Sequence, residues 1–434
     1  MKKTCWALYL FSQIFFLINI QYPKTPNFDE FHYIPSAKQF LNLAPNQNWE
    51  HPPLGKLLMA CGIFVWGDQP LGWRFMSTVF GSLTLVGMYF LGWIVFGTES
   101  AALWVAAITI CNQLLYVQAR IGMLDTFMMG FLVWAIAFFW AARDSRRNTA
   151  SQVNLLYCSG FLFGLAAACK WFALVPWIAC LGFVGGIKIR QLKQKQNLKQ
   201  HSKSKKSHSF IEAPPLPWKN ISLSTWIRGF VLVPILAYSC TFLPFLAIPG
   251  ALDSIVDLWN MQTRMWDGQL RVIRPHPYMS HWYEWPLLTR PIWYAFDREG
   301  PGMAWVRGVL LIGNPIIMIT GLLALAVCAW DGLVKQKQDA FFILFFYSIF
   351  YFCWIVIPRK IEFYYYYYPA GLILSLALTY LIHHQRFKFL KWPGTKWIFL
   401  GASLGMFIYF FPLLAALKIP APSFRDWMWS PRWI

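Results

Sequence analysis

The chain reads as an all-α polytopic membrane protein. Its 434 residues are 57% hydrophobic and only 13% charged, well below the roughly 25% charge of soluble domains. Apolar runs recur along the whole length instead of forming one block, and the basic residues gather in short segments between them. The net charge of +20 would suit nucleic acid, but that clustering is explained by chain orientation and anionic lipid headgroups. The aromatic content of 19% fits side chains at membrane boundaries and in lined cavities.

The apolar runs predict crossings at 5–20, 73–96, 101–118, 126–142, 153–169, 171–187, 226–248, 304–330, 340–357, 364–382 and 396–417, about eleven helices, several shorter than the ~20 residues usually needed. Met1-Lys2-Lys3 before the first run imitates a secretory signal, yet QYPKTPNFDE after it offers no small-x-small cleavage site, so an uncleaved helix is expected. The stretch 153–187 reads as one long tilted helix or two short ones. Two are favoured, because Arg143–Arg147 and Lys188–Lys206 are both basic and belong on the cytoplasmic side. With Lys2 and Lys3 inside, the loops 143–152, 188–225, 331–339 and 383–396 also fall inside, each with Lys or Arg. Outside lie 21–72, about 119–125, 249–303, 358–363 and the tail from Lys418.

Within the first outer loop, Phe31–Leu43 and Leu54–Trp66 carry apolar residues at helical spacing and are expected as interfacial helices. Gln191–His208 is Lys/Gln/Ser-rich without apolar period and is expected to be disordered. Nearly all nine cysteines fall in apolar stretches and read as small core residues. There is no internal repeat, and residues 1–434 form a single transmembrane domain.

The chemically suggestive residues lie in the outer loops. Asp29-Glu30 follows the first crossing, and HPPLGK (His51 to Lys56) comes about twenty residues later. One carboxylate of such a pair can accept a proton while the other positions a substrate, although an isolated acidic pair is also an ordinary solvated surface. The prolines of HPPLGK set an extended entry to a helix, which leaves Lys56 one turn in, where it can meet a phosphate or simply snorkel. Arg74, Arg120, Asp125 and Arg359 (in IPRK) stand at outer helix ends. A metal site is a further option for the acidic pair, although no His or Cys stands at ligand spacing beside it, so a divalent metal is possible but not indicated.

Together these pieces resemble the protein O-mannosyltransferase family of GT-C membrane glycosyltransferases, which use lipid-phosphate sugars. The matching residues are Asp29-Glu30 with His32, HPPLGK, GWRFMS around Arg74, RIGMLDT from Arg120, the CKW containing Lys170, HPYMSHWYEWPLLTRP from His276, GNP at Gly313 to Pro315, and Pro358-Arg359. About 55 residues separate the seventh and eighth crossings, which leaves no room for the β-trefoil insertion of eukaryotic members and implies a compact, bacterial-type member. The family often shows a His among tyrosines after the Pro-Arg, whereas Tyr364–Tyr368 is unbroken here and reads as an interfacial aromatic belt.

The resemblance implies transfer of mannose from a polyprenyl phosphate to Ser or Thr hydroxyls of exported proteins, with inversion, on the extracytoplasmic face of a bacterial inner membrane. It implies Asp29 as the base, ionised at neutral pH, and Glu30 as a positioning group. It also implies Lys56, Arg74, Arg120 and Arg359 as phosphate and sugar contacts, Arg359 and Arg74 foremost, with Asp125, His51 and Lys170 as further substrate contacts. No cofactor is required beyond the lipid donor. The alternatives are a GT-C transferase moving another lipid-phosphate sugar, such as aminoarabinose, to lipid A or a glycan, and a transporter or lipid flippase.

Overall fold

The computed structural model describes residues 1–144, 146–202, 217–218, 221–271 and 276–433, with backbone alone for 194–202. After α1 (Lys2–Leu17), the first loop folds α2 (Glu30–Leu41) and α3 (Leu54–Trp66), and then come α4 (Pro70–Phe96), α5 (Glu99–Cys111), α6 (Gln113–Gln118) and α7 (Leu124–Ala141). Next are α8 (Thr149–Cys169), α9 (Leu174–Ser202), α10 (Leu223–Ile227) and α11 (Val233–Cys240). A second large loop carries α12 (Ile255–Leu270), and α13 (Pro315–Ala329), α14 (Gln338–Phe352), α15 (Tyr368–His384) and α16 (Pro393–Leu414) close the bundle.

Among the described residues, nine helical stretches are long and apolar enough to cross a membrane. The two other expected crossings are shorter. α1 has 16 residues, and the run at 101–118 is broken, because the Asn112 side chain caps α6 at Leu114 N while its amide donates to Gly371 O at 3.0 Å. The stretch at 153–187 is two helices, parted at Lys170, whose backbone is extended. Of the segment expected to be disordered, the backbone is helical through Ser202 and 203–208 lies outside the described residues.

A small antiparallel sheet interrupts the helical pattern. β1 (Ile292–Glu299) pairs with β2 (Trp305–Leu311), which pairs with β3 (Ile419–Pro420). The eighth crossing therefore begins at Pro315 and not at 304. The apolar run there belongs first to a strand rich in β-branched and aromatic residues. Asn314 then starts the helix by accepting from Ile316 N, and its amide donates to Cys111 O at 3.0 Å and Ser403 O at 2.8 Å.

Packing grades the helices from centre to rim. The α7 span and Tyr364–His384 are 83% and 89% buried, whereas the α16 span is 28% buried. The rim exposes Leu10, Ile14, Leu236 and Ile408, as suits a bundle whose solvent is hydrocarbon. Gly160 lets α8 approach the turn after α10, since a Cβ there would lie 1.9 Å from Gly229 O. Four cysteines (Cys111, Cys169, Cys180, Cys328) are core residues as expected, but Cys61, Cys158 and Cys240 are exposed.

The two ends of the bundle differ in chemistry. Arg143 after α7 donates to Gln338 at the start of α14, and Lys335 and Arg386 both pair with buried Asp331, so three of the basic loops share one end. Asp29, Asp125, Lys170 and Arg359 gather at the other.

Candidate active site

Asp29 precedes the first turn of α2, and its carboxylate accepts a hydrogen bond at 3.1 Å from Tyr33, one turn along the same helix. Burial pushes the Asp29 carboxyl above its ordinary range, Lys170 pulls it back, and Asp125 adds to the rise. The cation-rich surroundings expected for Asp29 are thus present in Lys170, but desolvation works against its charge. The Tyr33 ring meets His51 edge-on, with centroids 5.9 Å apart. Burial and the cations Lys170, Lys56 and Arg359 hold His51 well below the usual imidazole range, so it is neutral at pH 7.

Lys170, between α8 and α9, crosses to α7 and binds both oxygens of Asp125, at 2.9 and 2.7 Å. Its ammonium also sits about 5 Å over the rings of Tyr365 and Tyr366. Arg359 lies 5.0 Å over the other contact of this group, Tyr366, whose ring stacks on Trp354 at 4.4 Å. Burial opposes the charge of Arg359, but Tyr366, Tyr365 and Asp29 outweigh it and raise its pKa. A cavity of about 260 Å³ is lined by His51, Lys170, Trp171, Trp266, Trp354 and Arg359, among others. Two of its lining residues hold buried N–H donors without an acceptor among the described residues, Arg359 Nε and Trp354 Nε1. Unpaired donors of this kind suit an anion.

The other expected contacts are engaged elsewhere. Arg74 directs all five of its N–H groups inward: Nε and Nη2 to Glu30, each at 2.8 Å, Nη1 to Ile20 O and Pro23 O, and Nη2 also to Thr25 O. Glu30, fully buried, accepts in addition from Gly122 N at 2.8 Å and Asn27 N at 3.1 Å. A Cβ at Gly122 would crowd Glu30, lying 3.3 Å from its Cγ and Oε1, and would meet the flexible end of Met59 at 2.9 Å. Arg120 donates to Phe16 O, Ile18 O and Leu414 O, which ties the carbonyl ends of α1 and α16. Lys56 donates to the carbonyl and side-chain oxygens of Asn48 and to His51 O, using its three protons, and burial pushes its amine down to about 7. In the structure these three cations are engaged within the fold: Arg74 ties the first loop to α4, Arg120 joins the ends of α1 and α16, and Lys56 holds the first loop on itself.

The tyrosine run is no boundary belt. Tyr364–Tyr368 are all buried, with Tyr364 hydroxyl accepting from Gly313 N at 3.0 Å and Tyr365 and Tyr366 facing Lys170. Two participants were not anticipated. Glu362 accepts from Trp282 N at 3.0 Å and from Ser280 N through its carbonyl, which ties the segment after His276 to the loop that carries Arg359. α12 brings Trp266 to the cavity, and Gln269 donates to Glu50 O at 2.8 Å. Its helical Trp spacing after a Ser254–Asp257 capping box was the available signal. Among the described residues, no group of three or more His, Cys, Asp or Glu could hold a metal.

Comparison with known proteins agrees with this architecture. Residues 68–246 match the family model for dolichyl-phosphate-mannose-protein mannosyltransferase, and residues 254–433 match that for the C-terminal four-helix membrane region of protein O-mannosyltransferase. The polyprenol-phosphate-mannose–protein mannosyltransferase of Mycolicibacterium smegmatis is 24% identical over 94% of this chain and 88% of its own length. That of Corynebacterium glutamicum is 23% identical with the same coverage. In fold, the chain is similar to a protein of the Saccharomyces cerevisiae Pmt1-Pmt2 complex bound to the sugar donor, with TM-score 0.80 and 14% identity over 100% of this chain and 92% of that one. It is also similar to ArnT from Cupriavidus metallidurans bound to undecaprenyl phosphate, with TM-score 0.58 and 12% identity over 90% and 62%. With both family models matching in order across most of its length, the chain belongs to the protein O-mannosyltransferase family.

Proposed function

We propose that the protein transfers mannose from polyprenyl-phosphate mannose to Ser or Thr hydroxyls of exported proteins, on the extracytoplasmic face of a bacterial inner membrane. The observation that carries this reading is a half-buried carboxylate, Asp29, within electrostatic reach of Lys170 and Arg359, two residues of a cavity in which Arg359 and Trp354 hold unpartnered donors. Asp29 takes the proton of the acceptor hydroxyl as its oxygen bonds to the anomeric carbon. The bond from that carbon to the phosphate oxygen breaks on the opposite side, with inversion, and the phosphate leaves with the electron pair. A phosphate leaves readily once its charge is met, so Arg359 is the group that counts there, with Lys170 contributing through space. A carboxylate with raised pKa is a better base than an exposed one.

In this reading Tyr33 and His51 hold Asp29 and the cavity wall in place. Glu30, Arg74 and Lys56 serve by fixing the first loop and Arg120 by joining the ends of α1 and α16, while Asp125 orients Lys170. The lipid-A or glycan acceptor reading shares the donor chemistry, and the relatives named as protein mannosyltransferases favour the protein acceptor. Membranes carrying Asp29→Asn should bind donor normally and transfer sugar to a Ser/Thr peptide at least about 100-fold more slowly. Full transfer by that variant overturns the assignment, and transfer to lipid A but not to peptide by the unmodified protein overturns the acceptor class.

A further inference from the structure

The bundle has a second basic cleft at its far end. Asp125 begins α7 and Arg143 follows its C-terminus, so this 18-residue helix sets the two ends about 27 Å apart. Around Arg143, hollows of about 630 and 520 Å³ adjoin and share Trp140, Arg143 and Gln338. The first reaches Arg190 on α9, and the second reaches Arg146 and Arg147. A Cβ at Gly182 or Gly186, on the α9 wall, would meet nothing within 4 Å, so the first hollow is open there.

Arg146 and Arg190 reach out into solvent, as in an ordinary basic loop. Arg143 instead lies on the Trp140 ring, 3.9 Å from its centre, and donates to Gln338 at 2.6 Å. Asp144, the acid in this loop, pairs with Arg146 at 2.9 Å. Among the described residues no carboxylate pairs with Arg143, Arg147 or Arg190, and Arg147 Nε is a buried donor without an acceptor. Burial brings the Arg143 guanidinium down to about 10, against a smaller upward pull from Asp144. Planar guanidinium groups beside an indole and Phe183 match a phosphate carried next to apolar chains.

We propose that this cleft is a phosphate-binding site, distinct from the proposed transfer site and filled by an anionic lipid headgroup or by free phosphate. The test is native mass spectrometry of the intact protein titrated with phosphatidylglycerol, phosphatidylcholine or inorganic phosphate. The double variant Arg143→Gln/Arg147→Gln should bind the preferred ligand at least about tenfold more weakly. Arg190→Gln, at an exposed position, should weaken it by about threefold, and Arg228→Gln, a basic residue outside the cleft, should leave it unchanged. Saturation by phosphatidylglycerol ahead of phosphatidylcholine assigns the headgroup, and equal displacement by inorganic phosphate assigns the free ion. Unchanged binding in the double variant, or an equal loss in Arg228→Gln, overturns the site. If the double variant does not fold, Arg190→Gln against Arg228→Gln decides it.

Discussion

Replacing Glu30 by Gln separates a residue that builds the site from one that acts in it. The carboxylate accepts from Arg74 Nε and Nη2 at 2.8 Å each, from Gly122 N at 2.8 Å and from Asn27 N at 3.1 Å. An amide keeps one acceptor oxygen and turns its NH2 toward two of these donors, whichever way it is placed. Arg74 is then a fully buried cation without its anion, a loss of about 3–5 kcal/mol. For a chain of 434 residues, that corresponds to a fall in Tm of about 3–5 °C. A thiol-reactive fluorophore reads the transition, because Cys111, Cys169, Cys180 and Cys328 are buried while Cys61, Cys158 and Cys240 set the baseline. Glu30→Gln with Arg74→Met should lose less than the sum of the two single changes. An unchanged Tm accompanied by lost transfer would refute the reasoning and place Glu30 on the substrate.

Since burial raises the Asp29 carboxyl above 3.8 and the base must be ionised, the acidic limb of kcat/KM should lie above that value; a limb at or below it contradicts the assignment. The Tyr33 hydrogen bond lowers the Asp29 pKa, so Tyr33→Phe should move that limb upward. Arg359→Gln should weaken binding of a polyprenyl-phosphate analogue by about 10- to 100-fold, measured by titration in detergent, while Tm of the empty protein stays level or rises by up to about 3 °C. Asn314→Ala removes a helix cap and two hydrogen bonds that join α5, α13 and α16, so it should lower stability by about 2–3 kcal/mol without altering the pH profile.

The order of helices was legible because lipid-facing apolar runs are long and each basic loop follows one. Misreadings arose where hydrophobicity alone does not choose a backbone. WVRGVLL runs on into the apolar helix after it, and the Gly313-Asn314-Pro315 stop, a cap followed by a first-turn proline, marks where the helix starts. The break at Asn112 is local in the same way, since one buried amide reaching Gly371 O divides an otherwise continuous run. At the candidate site, sequence reasoning gathered these residues at one end of the bundle, as the structure does, but could not tell which cations face each other. Arg74 and Arg359 carry the same charge at helix ends. What separates them is partner count, and the partners of Arg74 come from residues 44 to 54 positions away.

That partner count also explains how one end of the bundle can hold so many cations. Arg74 has a buried acid and three carbonyls, Arg120 the carbonyl ends of two helices, and Lys56 a loop of oxygens, so each buried charge is met within the fold. Lys170 is met by Asp125. Arg359 instead faces aromatic rings and a cavity, with its Nε unsatisfied. A buried N–H without an acceptor costs about 1–3 kcal/mol, and a phosphate oxygen in the cavity would remove that cost. The same residue therefore makes the empty protein slightly less stable and the donor complex more so. This is the sign expected of a group selected for binding, and it is opposite to the sign for Arg74, which stabilises the protein whether or not donor is present.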